Sequence, residues 1–285
     1  MKIDAHLHVW ERDRGDYRWL TPAMGPLWKD VGKAEHESWL TACGIEGVIL
    51  VQAADSVAET HYLLGLAADW HRVVGVVGWI PMDSPSAPEI LSELAHDRYL
   101  VGIRPMLQDL EDDAWCLGDH LTPAYQALEQ CSLTFDLLIK PRHLRTAITL
   151  RSRYPEIRMV IDHAAKPFIP ARKPWRDFTD WTSAMKTLAA LPNTWCKWSG
   201  LMTEAEVGGN ADDYKPYADA LLDTFGPTRL IWGSDAPVCE LAGGPLQWDD
   251  LSRILLHSLS EHETRQVRGL NAEAAYNLPP ARVRT

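Results

Sequence analysis

Eight short runs along the chain are almost wholly apolar and recur at near-regular spacing. They are KIDAHLHV at 2–9, GVILVQA at 47–53, VVGVVGWI at 73–80, LVGIRP at 100–105, LTFDLLI at 133–139, RMVIDH at 158–163, TWCKWS at 194–199 and RLIWGSD at 229–235. A strand with one wet face alternates apolar and polar residues. A continuous run instead marks a strand covered on both faces, as parallel strands with crossover helices are. The stretches between the runs carry the helical period. In SVAETHYLLGLAADWH, Leu63, Leu66, Ala67 and Trp70 form an apolar stripe behind a capping-box pair, Ser56 and Glu59. LTPAYQALEQC places Thr122 and Pro123 where a cap and first turn are expected, and DYKPYADALLDTFG stops at Gly226. SEHETRQVRG runs from a second box pair, Ser260 and Glu263, to Gly269.

Eight strand–helix units in roughly 250–290 residues is the size and rhythm of a (β/α)8 barrel. The pattern therefore predicts an α/β fold, a single TIM barrel over residues 1–285. An open doubly wound sheet would call for a glycine-rich nucleotide loop after its first strand. The residues there, HVWERDRG, are not one. The least regular segments, 10–34, 164–177 and 200–214, each follow the carboxyl end of a predicted strand, where such a barrel builds its active site.

Composition narrows the partners. The formal charge is −11 and no lysine/arginine cluster stands against it, which excludes a nucleic-acid groove. The basic residues of RHLRTAITLRSR read as one solvated helix face. No stretch reaches the ~18 apolar residues of a membrane helix, and the first ten residues lack the blocks of a signal peptide. The expectation is a cytoplasmic protein without a membrane partner. The five cysteines are scattered and odd in number, without metal-site spacing. The 13 tryptophans are an excess that serves packing or ring-stacking equally well.

Candidate chemistry begins in the first strand. Residues two apart share a face, so His6 and His8 point one way and Ile3, Ala5, Leu7 and Val9 the other. The apolar set suits the surrounding helices, which places the imidazoles inside the barrel near the strand's carboxyl end. There they are either ligands of one ion or structural histidines bonded to buried polar groups. Other strand ends supply support. Asp162, His163 and Lys166 close the sixth strand, Asp235 the eighth and Arg104 the fourth, while Lys197 lies on the seventh. Singly, Asp235 reads as a helix cap, Arg104 as a surface cation and Lys197 as a side chain reaching to solvent. Recurrence of polar residues at five strand ends predicts an active site instead. Asp162 is expected to point away from His163, in a structural role.

IDAHLH, DHAAKP and GSDAPV resemble the signature segments of the amidohydrolase superfamily, in its amidohydrolase-2 branch. HVW with DYRWLTP after it, GVILVQA, GVVGWI, LVGIRPMLQD, LTFDLLIKPRHL, WCKWSGLMTEA and IWGSDAPVC resemble, in order, its sugar-lactonase group. The resemblance covers nearly the whole chain. It implies a (β/α)8 barrel that hydrolyses an aldonolactone, L-fuconolactone-like, with activated water. Lactone hydrolysis needs a deprotonated water, an electrophile at the carbonyl and a proton for the leaving alkoxide. Asp235 is assigned as general base, its basicity raised by a dry cavity. His6, His8, His163 and Asp235 hold a single divalent ion such as zinc, or the imidazoles polarise the carbonyl directly. Arg104 is assigned to a sugar hydroxyl or the oxyanion, Lys166 and Lys197 to similar duties, and Trp28, Trp79 or Trp198 to stacking on the sugar.

Two-metal members of the superfamily use a carboxylated lysine at the end of strand 4. Arg104 stands there, so at most one ion is expected, and a dispensable one, since some lactonases of the branch work without metal. In that case Arg104 carries more of the electrophilic load. Metal-dependent decarboxylases of the same branch share the ligands and form the alternative enzyme class; a sugar-binding barrel without turnover is the non-catalytic one. The segments around strands 2 to 5 favour hydrolysis. A homo-oligomer is expected by analogy only.

Overall fold

Each apolar run forms a strand: β1 Ile3–Leu7, β2 Gly47–Val51, β3 Val73–Gly78, β4 Leu100–Ile103, β5 Thr134–Leu137, β6 Met159–Ile161, β7 Thr194–Trp198 and β8 Leu230–Trp232. The computed structural model describes residues 1–171, 175–206 and 209–278. The strands are parallel and lie in the order β1 to β8. The ring closes where Leu7 bridges Ala236, with Asp235 N donating to His6 O at 2.9 Å and His8 N to Ala236 O at 2.8 Å. Helices follow the strands in turn: α1 Lys33–Ala42, α2 Val57–Asp69, α3 Ala87–Leu94, α4 Thr122–Gln130, α5 Leu144–Arg153, α6 Phe178–Ala190, α7 Ala211–Phe225 and α8 Pro245–Leu255. The chain then adds α9 Glu261–Arg265, a π turn Gln266–Leu270 and α10 Asn271–Ala275. This is the predicted (β/α)8 barrel.

Two of the three clusters of buried apolar residues divide the barrel. One joins Leu7, Val48, Leu50, Val76 and Trp232 to the helices. The other contains Ile3, Ala5, Ile49, Val51, Val101, Val160 and Ile231, plugged by Ala272, Ala275 and Tyr276 from α10 and the residue after it. Ile3 and Ala5 thus pack in the barrel, not against the helices as alternation predicts. The register of β1 on β2 shifts between Asp4 and Leu7, and such an irregularity changes which face successive side chains use. His6 reaches the interior because of that shift.

Ser56 caps α2, its Oγ accepting from Glu59 N at 3.0 Å, but the Glu59 carboxylate leaves the box to accept from Tyr17 Oη at 2.7 Å. The second box forms as predicted at Ser260 and Glu263. Thr122 is the first residue of α4, not its cap, because the short helix Asp119–Leu121 runs straight into it. In the basic stretch Arg151 is buried, donating to the carbonyls of Pro192 at 3.0 Å and Ile157 at 2.8 Å, so that helix face is not wholly solvated. Among the described residues no helix is long and apolar enough to cross a membrane.

Candidate active site

The carboxyl ends of the strands open into a cavity of about 290 Å³. His8, Arg104, His163, Lys166 and Asp235 form its polar part, and Trp19, Met24, Leu27, Leu138 and Val238 its apolar walls. Gln108 and Asp109 complete the rim from the loop after β4.

Three imidazoles converge on one carboxylate. Asp235 Oδ1 lies 3.5 Å from His8 Nε2 and 3.7 Å from both His6 Nε2 and His163 Nε2. His6 Nε2 and His8 Nε2 are 3.2 Å apart. All four side chains are buried. Each ring is held from behind. His8 Nδ1 donates to Val51 O at 2.7 Å, which leaves Nε2 with a free lone pair in the neutral ring. His163 Nδ1 pairs with Ser199 Oγ at 2.9 Å. Gly200 makes room for it: a Cβ there would stand 2.4 Å from His163 Nδ1, and its φ of +66° is itself in the left-handed region.

Below this set lies a chain of buried ions, of which only Arg104 reaches the cavity. Lys197 is fully buried, with Nζ 2.6 Å from Asp136 Oδ2, 2.9 Å from Asp162 Oδ1 and 3.2 Å from His6 Nδ1. Tyr276 Oη donates to Asp136 at 2.7 Å from the α10 side. Arg104 Nη1 is 3.4 Å from both Asp162 Oδ2 and His6 Nε2, and its Nη2 donates to Gln52 O.

Burial lowers all three imidazoles: His163 to about 4, His8 below its usual range, and His6 well below, with Lys197 adding to the effect at His6. They are neutral at pH 7, the form that ligates metal. Burial alone would raise Asp235, but His163, His8 and His6 outweigh it and hold the carboxyl below its ordinary range. That attraction is exerted by protonated rings, so it acts in acid and not at pH 7, where the rings are neutral. Burial likewise opposes ionisation of Asp162, yet Lys197, His6 and Arg104 outweigh it and keep the carboxyl well below its ordinary range; Asp136 is raised to about 6.

The donor chemistry fits a divalent ion. His6, His8 and Asp235 offer ligand atoms within 4.8 Å of one another, and two nitrogens 3.2 Å apart match neighbouring ligands on a tetrahedral ion bound at about 2.0–2.1 Å. A second grouping, His6, Asp162 and His163, shares His6, but its carboxylate is already bound by Lys197 and Arg104. No lysine stands at the end of β4, where Arg104 follows Ile103.

Other residues depart from expectation. Asp162 does not point away from His163. β6 ends at Ile161; Asp162 shares the inward face of Val160, and His163, Ala164, Ala165 and Lys166 take φ of 51°, 52°, 59° and 51°, a left-handed turn that brings His163 to the same side. Such conformations cost about 1–2 kcal/mol per residue and persist here with Trp181 Nε1 donating to Ala164 O at 2.9 Å. Lys197 lies beneath the cavity instead of lining it, because Asp136 on β5 and Asp162 hold it inward. Trp28 and Trp79 do not line the cavity either. Trp28 is 38% exposed, under Arg12 at 5.0 Å, and the main chain of Trp79 is tied to Thr60 on α2. Trp198 packs on Trp248 at 5.4 Å. The tryptophan at the cavity is Trp19, turned inward by Nε1 donating to Ala53 O at 2.7 Å and by edge contact with Trp10 at 5.3 Å. Asp136 was the other omission; a charge inside an otherwise apolar run was its signal.

Residues 3–278 match the amidohydrolase family, and the chain belongs to it. It is 42% identical over 242 residues to the L-fucono-1,5-lactonase of Burkholderia ambifaria, covering 85% of this chain and 82% of that one. With the L-fucono-1,5-lactonase of Burkholderia multivorans it shares 34% identity over 292 residues, covering 98% and 97%. The crystal structure of an amidohydrolase from Burkholderia multivorans with bound zinc superposes with a TM-score of 0.91 at 33% identity, covering 98% and 100%. A 2,6-dihydroxybenzoate decarboxylase, at 16% identity and a TM-score of 0.67, shares the fold alone.

Proposed function

We propose that this amidohydrolase opens a sugar lactone of the L-fucono-1,5-lactone type to the sugar acid. The observation that carries the reading is the cavity itself: one carboxylate ringed by three neutral imidazoles and an arginine, facing an apolar wall. L-Fucono-1,5-lactone, the substrate in the names of both lactonase relatives, is a 6-deoxy sugar with a methyl group for the wall of Trp19, Met24, Leu27 and Val238. Gln108 presents a buried carbonyl oxygen without a partner on the same cavity, an acceptor for a sugar hydroxyl.

Asp235 takes a proton from water as the oxygen bonds to the lactone carbonyl carbon. Arg104 faces the developing oxyanion. When the ring C–O bond breaks, Asp235 returns the proton to the leaving alkoxide, so one carboxylate serves both steps. His6, His8 and Asp235 would hold the divalent ion, and a bound ion lowers the pKa of water towards 7 and polarises the carbonyl. We propose zinc as that ion, on the N and O donor set and the zinc-bound relative.

A pH-indicator screen over aldonolactones of different stereochemistry tests the activity. Acid release from L-fucono-1,5-lactone, with no CO₂ from aromatic carboxylic acids, is the expected result. Rates no faster than spontaneous hydrolysis across the panel would refute it. Metal analysis of protein purified without chelator, then activity after chelation, tests the ion: zinc near one per chain and lost activity are expected, and an unchanged rate in metal-free protein rejects it.

A further inference from the structure

At the opposite end of the barrel, where Lys2 leads into β1 and Glu46 into β2, a cavity of about 460 Å³ opens against the π turn and α8. Its charged lining is Lys2, Arg253, Arg265 and Arg268, against Glu46 alone. Behind it a single buried carboxylate, Asp249, serves three of those cations: Arg253 and Arg268 donate to it, and Lys2 Nζ lies at 3.7 Å. The pair of Arg265 with Glu261, 2.9 Å apart, is exposed and contributes little. Positive charge is left over in a half-buried place. Burial and the neighbouring Arg268 hold Lys2 below its ordinary range, and burial lowers Arg268 as well.

Two further observations point to a ligand. Arg268 is 7% exposed and lines the cavity, yet its Nη1 is buried without a hydrogen-bond partner, while its guanidinium lies over Trp232 at 4.3 Å. The segment that carries it is a π turn, Gln266–Leu270, pressed so close to the chain start that a Cβ on Gly269 would fall 1.9 Å from Met1 O. Such turns are rare and gather at functional sites. The amino-terminal end of a barrel of this kind ordinarily carries stability alone. Stability would be better served by a second carboxylate than by crowded cations, the more so in a chain of net charge −11.

We propose that this cavity is a second binding site, for a small oxyanion bearing a phosphate or a carboxylate. Arg268 and Arg253 present planar donor forks that match either group, Lys2 and Arg265 add charge, and the Thr264 hydroxyl lies in the same lining. The proposal is independent of the lactonase reading.

The test is calorimetric titration of the full-length protein with inorganic phosphate and, separately, with an aldonate such as D-gluconate, at ionic strength held constant with chloride. Saturable binding of one anion per chain is expected. Phosphate alone binding assigns the site to phosphates, gluconate alone to carboxylates, and both to oxyanions in general. The double variant Arg253→Gln/Arg265→Gln alters side chains that are each 58% exposed and should fold; it is expected to weaken binding about tenfold, equivalent to ~1.4 kcal/mol. Arg265→Gln alone gives a smaller loss. Lys166→Met, in the active-site cavity, should leave phosphate binding unchanged. Absence of saturation at millimolar anion, or affinity that survives the double variant, overturns the proposal.

Discussion

Asp162 and Asp235 approach the same imidazole from opposite sides, at 3.4 Å from His6 Nδ1 and 3.7 Å from His6 Nε2. Both are buried carboxylates. Their partners differ. Asp162 lies between two cationic side chains, Lys197 and Arg104, and has no access to the cavity. Asp235 is contacted by three neutral rings, with no cation paired to it directly, and opens onto the cavity. A carboxylate whose charge is matched by the protein fixes geometry; one whose charge is left unmatched at a cavity wall can accept a proton or an ion. The barrel thus builds a compensated floor and sets an uncompensated layer on it.

The largest way to break this contrast is at the floor. Lys197→Met leaves Asp136 and Asp162 facing each other without their shared cation, and removing one partner of a buried pair costs about 3–5 kcal/mol. Denaturant unfolding should show that loss. A change under about 1 kcal/mol would mean the floor is not held by charge.

A pH effect comes next. His36 donates Nε2–H to His8 O at 2.9 Å and receives Trp39 Nε1–H at Nδ1, so the folded protein needs it neutral. Burial sets its pKa at about 4. The folded value lies below the unfolded one, so stability is full above pH ~6.5 and falls as pH drops towards 4, by about 3 kcal/mol for this group at 1.36 kcal/mol per unit. Unfolding measured at pH 7 and pH 4 should differ by more in wild type than in His36→Gln.

Under the proposed mechanism, Arg104→Met should lower kcat/KM for the lactone about 10²-fold by removing the group assigned to the oxyanion, with Arg104→Lys recovering only part because the guanidinium fork is lost. Gly200→Ala is the smallest change. Its methyl must displace the His163 ring, and kcat should fall about tenfold, with a stability loss of about 1 kcal/mol for the left-handed backbone.

The eight strands were legible because strands buried on both faces leave no polar alternation to misread. His6, His8, His163, Arg104 and Asp235 were legible as polar residues at the ends of such runs. The rest depended on backbone detail that periodicity does not carry. A register shift, not simple alternation, turns His6 inward, and a left-handed turn beginning at His163 brings that ring beside Asp162, which alternation from Val160 already places inside. The fate of Lys197 rests on Asp136, a residue 61 positions away on another strand. That Trp19 and not Trp28 reaches the cavity follows from the path of one irregular loop, fixed by indole hydrogen bonds to Lys29 O and Ala53 O.

The reactive role of Asp235 is tested most directly by kcat on L-fucono-1,5-lactone for Asp235→Asn, measured beside its thermal unfolding. The substitution keeps shape and removes the charge that accepts the proton. A fall of about 10³-fold or more, at a melting temperature within a few degrees of wild type, is the predicted result. A kcat within a few-fold of wild type would contradict the assignment and move the base elsewhere in the cavity.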